Sequence, residues 1–252
     1  MARNAPDWLT AQPIAHRGLH DARRGLIENT LEAAEAAVLG GFAIECDIQL
    51  SADGAAIVFH DETLERLTEA TGALREKSAA ALAAIRFKIG DAKIPRFRDL
   101  LDRVAGRTPI ICEIKSAFNG DGRLADAAAK LAASYAGPLA FKSFDPFVVA
   151  RLRRARLDRP LGIVAEASYA GASWRTLSPA QKSECANFLH YGQTRPDFLS
   201  FCVDDLPHPT PFLLRALNRM PVMAWTVRRA EQRRKAAQWA DQIVFEGDAA
   251  HL

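Results

Sequence analysis

The feature that most constrains this chain is its alternation of short apolar runs with helix-length amphipathic segments, sustained along its whole length. Strand-like runs occur at residues 13–16, 42–50, 56–60, 109–115, 139–143, 161–165, 198–203, 222–227 and 242–246. Helical patterns at 29–39, 123–135, 146–155, 211–218 and 229–239 separate most of them, which predicts βα units around a parallel sheet. One link differs. Between Leu50 and Ala56 stand only Ser51, Ala52, Asp53, Gly54 and Ala55, too few for a parallel crossover, and Asp-Gly is a strong hairpin signal. The third run therefore turns back on the second. Eight parallel strands remain, the number that closes a (β/α)8 barrel. The expected fold is α/β: a (β/α)8 TIM barrel with a short β-hairpin insertion after strand 2, as a single domain over residues 1–252. An open doubly wound sheet is the alternative, but no Gly-x-Gly-x-x-Gly or phosphate-loop sequence follows a strand.

Composition narrows the class further. With 49% hydrophobic and 25% charged residues the chain is an ordinary globular sequence rather than a disordered one. Its longest apolar stretch, residues 79–85, is mostly alanine and falls far short of the roughly 20 residues a membrane span needs. The first 13 residues carry Asp7 and two prolines where a signal peptide needs an unbroken apolar run. A cytoplasmic protein without stable membrane insertion is expected. A net charge of +3 is too weak to indicate a nucleic-acid partner. The basic clusters around Arg151–Arg156 and Arg228–Lys235 fall on predicted outer helices and read as solvated faces. Four cysteines without C-x-x-C spacing read as reduced, buried thiols. Oligomeric state has no signal in the sequence.

Chemistry concentrates in the first half. Side chains alternate across a strand, so Glu45, Asp47 and Gln49 share one face and Ile44, Cys46 and Ile48 the other. On an amphipathic edge strand this would be a solvated face. Inside a barrel, carboxylates need a compensating cation. Glu113 and Lys115 likewise share a face at the carboxyl end of the next parallel strand, where barrel active sites are built. Glu45, Asp47 and Glu113 make an all-oxygen donor set suited to a divalent cation, Mg2+ or Ca2+, rather than zinc. Lys115 fits either an ion pair to Glu113 or a phosphate contact. His16 and His60 end strands beside the carboxylates, and two imidazoles titrating near neutrality can supply a general acid and a general base. Arg17 offers forked donors that match phosphate oxygens, or is a surface arginine of a βα loop. Asn29 reads as a helix N-cap with Glu32 three residues on. Glu28, just before it, is positioned to bond a site residue. Trp225, toward the mouth of the seventh barrel strand, packs either on a substrate's apolar part or in the core.

These residues in this order resemble the glycerophosphodiester phosphodiesterases: His16-Arg17-Gly18, Glu28-Asn29-Thr30, Glu45-Cys46-Asp47, Asp53-Gly54, His60-Asp61 with Leu64, Arg66 and Thr68, then Glu113-Ile114-Lys115. Phe144 and Trp225-Thr226-Val227 extend the resemblance over nearly the whole chain. It implies metal-dependent hydrolysis of a small-molecule glycerophosphodiester to sn-glycerol 3-phosphate and an alcohol. Carried over residue by residue, Glu45, Asp47 and Glu113 look like metal ligands, His16 and His60 like the acid–base pair, and Arg17 and Lys115 like phosphate contacts. Two segments depart from the family pattern. Lys142 stands before Ser143 where many relatives have glutamine, and Glu246-Gly247 replaces a common Thr-Asp pair, departures that bear on substrate preference. The alternatives are a lysophospholipase D or phosphoinositide phospholipase activity on a lipid substrate, or a non-catalytic phosphate-ester binding module. The fold alone does not decide among them.

Overall fold

The computed structural model of the protein describes residues 5–250, so the first four residues of the N-terminal segment read above lie outside it. The chain runs β1 (Ile14–Ala15), α1 (Leu31–Leu39), β2 (Ala43–Leu50), β3 (Ala56–Val58), α2 (Ala79–Ala84), α3 (Phe97–Val104), β4 (Ile110–Ile114), α4 (Arg123–Ala133), β5 (Leu139–Ser143), α5 (Pro146–Arg154), β6 (Leu161–Ala165), α6 (Pro179–Ala186), α7 (Tyr191–Thr194), β7 (Phe198–Cys202), α8 (Pro209–Asn218), β8 (Val222–Val227), α9 (Ala230–Trp239) and β9 (Gln242–Phe245). The nine strands follow the order β1-β9-β8-β7-β6-β5-β4-β2-β3, with β1 also paired to β2. Among the described residues only β3 pairs antiparallel as a strand, and its removal leaves the eight parallel strands of a (β/α)8 TIM barrel.

Two compact units divide the chain. In the first, Ile14–Lys115 with Asp121–Leu139, β2 is the central strand. It pairs in parallel with β1 and β4, and β3 folds back along its far end, with Ile48 opposite Val58 and Leu50 opposite Ala56. The hairpin is present as expected, and the insertion it opens runs on through residue 96. That segment has a small core of its own, in which Ile57, Phe59, Leu64, Leu74, Leu82, Phe87 and Ile94 pack on Ile27. Isolated bridges Thr63 to Ala73 and Thr68 to Phe87 close its loops.

Helix α1 is capped by Thr30, whose Oγ1 accepts from the Ala33 N–H at 3.2 Å. Asn29, read from sequence as the cap, has another role described below. Helix α3 lies outside the helices predicted from sequence, although Phe97, Leu100, Leu101 and Val104, all buried, repeat at i, i+3, i+4 and i+7.

The second unit is formed, among the described residues, by residues 5–13, Ser116–Gly120 and residues 140–250. Here β6, β7, β8 and β9 pair in parallel, continuing from β5. Gly162 sits where a Cβ would meet the Phe198 ring at 2.3 Å, so the aromatic packs there only because the side chain is missing. Cys46, Cys112 and Cys185 are buried thiols outside any disulfide, whereas Cys202 is partly exposed. No helix is long and apolar enough to cross a membrane among the described residues.

His190, just before α7, is 1% exposed, with Nδ1 3.1 Å from the Thr194 hydroxyl. Burial pushes its imidazole down to about 4, because the charged form loses hydration. The unfolded chain therefore binds the proton first as pH falls below the ordinary histidine value, and stability present above that value is lost on the way down to about 4. Chemical denaturation between pH 7 and pH 5 is expected to show a slope from this group approaching 1.4 kcal/mol per pH unit. His190→Gln should flatten that slope by the same amount, whatever it does to stability at neutral pH.

Candidate active site

The first unit assembles its charged residues by strand geometry. Glu45 and Asp47 are two apart on β2 and so face the same way, while β2–β4 pairing sets Asp47 directly beside Glu113. All three are buried, at 0%, 1% and 5% exposure, and one carboxylate oxygen from each lies within 4.8 Å of the others. Register also delivers the histidines. Ala15 is level with Ile44, so His16 follows beside Glu45, with Nε2 3.9 Å from Oε2. Beyond β3 the Phe59 N–H still donates to the Asp47 carbonyl at 3.0 Å, holding His60 against β2. Gln49 fixes the same loop by donating from Nε2 to the carbonyls of Phe59 (3.1 Å) and Asp61 (2.5 Å).

The turn after β1 is unusual. Arg17 and Asn29 both have positive φ, 58° and 57°, a conformation uncommon outside glycine. The Arg17 N–H thereby donates to Glu45 Oε2 at 3.0 Å, and its carbonyl accepts from the Asn29 N–H at 2.9 Å. Asn29 is 3% exposed and clamps Asp47 twice: Nδ2 donates to Oδ2 at 2.9 Å, and Oδ1 accepts from the Asp47 N–H at 3.1 Å. That is the reason it is not the cap; its side chain is committed to the next strand. Gly18, at φ 79°, completes the turn where a Cβ would lie 2.8 Å from the Ala33 carbonyl carbon.

Electrostatics decide the protonation states. Burial disfavours the charged form of Asp47, but Lys115, His60, Arg17 and His16 outweigh it and hold the carboxyl well below its ordinary range. Lys115 Nζ lies 2.6 Å from Glu113 Oε1 and 2.9 Å from Asp47 Oδ1. Burial favours the neutral amine, yet these two carboxylates raise it above its usual value. The ion pair weighed from sequence is thus present, and it reaches two carboxylates rather than one.

A second layer of charge surrounds this centre. Glu28 accepts from Arg17 Nη1 (2.6 Å) and from Arg66 Nη1 and Nη2 (2.9 and 2.6 Å). Arg66 also donates to both oxygens of Asp61, whose Oδ1 lies 2.7 Å from His60 Nδ1. Burial raises the Glu28 and Asp61 carboxyls, but these partners pull both below their ordinary values. With Nδ1 engaged by Asp61, His60 has Nε2 for other partners.

The donor set fits a hard divalent cation: three convergent, buried carboxylates without sulfur or imidazole among them. Three carboxylates against Lys115 and Arg17 leave one net negative charge. A dication would change this to one positive charge, the complement of a singly charged phosphodiester.

Most of the residues singled out from sequence come together here: His16, Arg17, Glu28, Glu45, Asp47, His60, Glu113 and Lys115. Trp225 belongs to the other unit and makes its contacts there, donating from Nε1 to the Ser200 carbonyl at 2.9 Å and meeting Phe144 edge-on at 5.5 Å. Lys142 is buried on β5 at 3% exposure. Asp61, Arg66 and Gln49 were not assigned site roles from sequence. The signal for Gln49 was its period-two match to Glu45 and Asp47; Asp61 and Arg66 stood in the motif order without a role of their own.

Comparison with known proteins agrees with the motif order. The Glycerophosphoryl diester phosphodiesterase family matches residues 16–245. The human glycerophosphodiester phosphodiesterase 1 is 40% identical over 96 residues, 34% of this chain and 28% of that protein. A glycerophosphodiester phosphodiesterase of Caldanaerobacter subterraneus is 33% identical over 111 residues, 41% of this chain and 44% of that one. The chain thus matches less than half the length of these curated relatives. Among solved structures, an Oleispira antarctica phosphodiesterase in complex with the product sn-glycerol-3-phosphate superposes with a TM-score of 0.78 at 19% identity, covering 96% of this chain and 95% of that one. A Thermotoga maritima glycerophosphodiester phosphodiesterase gives 0.70 at 24% identity, with 92% of each chain covered.

The donor geometry makes a direct prediction. Calorimetric titration of the purified chain with Mg2+ or Ca2+ should show one site, and Asp47→Asn should weaken it by about 10- to 100-fold through the lost charge. Asn29→Gly, which removes the clamp on Asp47 while keeping a residue that accepts positive φ, should weaken it less.

Proposed function

The chain belongs to the glycerophosphoryl diester phosphodiesterase family, and from that premise we propose that it hydrolyses glycerophosphodiesters to sn-glycerol 3-phosphate and an alcohol. We assign this to the cytoplasm and to residues 1–252 acting as one domain. The observation that carries the reading is the convergence of three buried carboxylates with Arg17, Lys115 and two histidines at the ends of adjacent strands.

Glu45, Asp47 and Glu113 are the residues that would hold Mg2+ or Ca2+, which when bound supplies Lewis-acid stabilisation of charge on phosphoryl oxygens. Arg17 and Lys115 bring fixed positive charge to the same oxygens. Arg17 is steered by Glu28, and Lys115 by Asp47 and Glu113. Preorganised donors of this kind stabilise developing charge without the reorganisation water would need. One histidine takes the proton of the attacking hydroxyl and the other returns a proton to the leaving alcohol oxygen. His60, fixed at Nδ1 by Asp61, presents Nε2 to the reaction. His16 works from further back along the same edge of β2, beside Glu45. The attacking hydroxyl is that of water or the neighbouring hydroxyl of the glycerol, the second route passing through a cyclic phosphate.

Release of glycerol 3-phosphate from glycerophosphocholine by the purified protein tests this. Release should stop in EDTA and return with Mg2+ or Ca2+. His60→Ala should lower kcat by about 10²- to 10⁴-fold, and Glu45→Ala should abolish metal-stimulated turnover. Undiminished release in EDTA, or full activity in His60→Ala, overturns the reading. Activity confined to acylated lysophospholipids moves it to the lipid-substrate alternative, and binding without turnover to the binding module.

A further inference from the structure

Helix α8 presents its apolar side to solvent. Phe212, Leu213 and Leu217 are 55%, 49% and 75% exposed, and Ala216 between them is exposed too. At i, i+1, i+4 and i+5 these four fall in one sector of about 140° of the helix. Pro211 is the one buried residue of α8. Helices of globular proteins ordinarily bury such a face. Across from it, the Phe212 ring meets Trp239 at the end of α9, 6.4 Å between centroids, which carries the patch onto a second helix.

The surroundings are strongly basic. Residues 209–240 contain seven arginines and lysines and one acidic residue, Glu231, although the whole chain carries only three more cations than anions. Arg219, Arg229 and Arg234 are exposed, and α8 itself is fixed by Arg215, whose guanidinium pairs with Asp241 at 2.8 Å. An exposed Phe/Leu patch, extended by a half-buried Trp and set in an arginine-rich stretch, is the composition of helices that lie in the boundary between lipid headgroups and acyl chains.

We propose that the α8–α9 face docks the protein peripherally on an anionic lipid surface, with Phe212, Leu213 and Leu217 entering the headgroup boundary and the arginines meeting lipid phosphates. The two features are complementary to such a surface and to little else. A second copy of the chain docked across a two-fold axis would set the same cations against each other. A nucleic acid would satisfy the arginines but leave the leucines without a partner, since bases are held by stacking on aromatic faces. The inference is separate from the proposed hydrolysis, because binding to a vesicle needs no turnover. Together they keep the protein at the surface from which glycerol phosphodiesters derived from lipids are released.

Cosedimentation of the full chain with vesicles tests it. Binding is expected to phosphatidylcholine vesicles containing about 30% phosphatidylglycerol and not to pure phosphatidylcholine, and it should weaken steeply with salt. Leu213→Ser with Leu217→Ser, and separately Arg229→Glu with Arg234→Glu, should each weaken it at least about tenfold while leaving far-ultraviolet circular dichroism unchanged. No binding to the anionic vesicles, or binding undiminished in both double variants, overturns the proposal. So does light scattering in which the wild type doubles its mass with concentration and the leucine variant does not, since a second copy would then cover the face.

Discussion

Asp47 is the residue on which the rest of the site depends. A carboxylate this deeply buried costs several kcal/mol unless charge and hydrogen bonds compensate it, and it stands between two more buried carboxylates, Glu45 and Glu113. The compensation comes from every neighbouring element. Lys115 reaches it from the end of β4, Arg17 Nε lies 3.5 Å away from the turn after β1, and Asn29 binds it at both side chain and backbone. The positive φ of Arg17 and Asn29 follows from this demand. In any extended conformation their polar groups would not converge on Glu45 and Asp47. Backbone in an unfavourable region persists only where its surroundings over-determine it, and here the surroundings are the acidic strand.

From that centre the charges alternate outward. Arg17 meets Glu28, Glu28 meets Arg66, Arg66 meets Asp61, and Asp61 meets His60. The sequence returns to β2 because His60 and Asp47 are adjacent through the Phe59 N–H. One side of this loop stands on the barrel and the other on the insertion, so the insertion's own core has a function. Phe59 and Leu64, both buried in it, bracket His60 and Asp61 and fix the backbone from which they project. Electrostatic stabilisation of a phosphoryl group depends on donors that do not have to move; the ring of ion pairs and the apolar core beneath it supply that rigidity together.

Much of the fold was legible in the chain itself. Alternating strand and helix patterns, one link too short for a crossover and an Asp-Gly turn were enough to give eight parallel strands and a hairpin. The misses have local causes. Helix α3 follows Pro95 and begins at Phe97 without a Ser, Thr, Asn or Asp cap, so its i, i+3, i+4 pattern was the only cue. Asn29 and Thr30 are adjacent good caps, and propensity could not choose between them; the need of Asp47 for a partner did. The exposure of the α8 leucines was not legible either, because the pattern of a helix gives its apolar side without saying what that side faces.

What the sequence determined by itself is everything that follows from period and spacing: Glu45 and Asp47 on one face, Glu113 and Lys115 on one face, the turn-back that returns His60 to β2, and the parallel sheet. Tertiary structure alone decided which residues meet across strands and loops. Asp47 lies level with Glu113 through the β2–β4 register, and Arg66 joins Glu28 across 38 residues. Contacts of that kind are set by strand register, burial and the neutralisation of buried charge. These are properties of the folded arrangement, and no local stretch of the chain contains them.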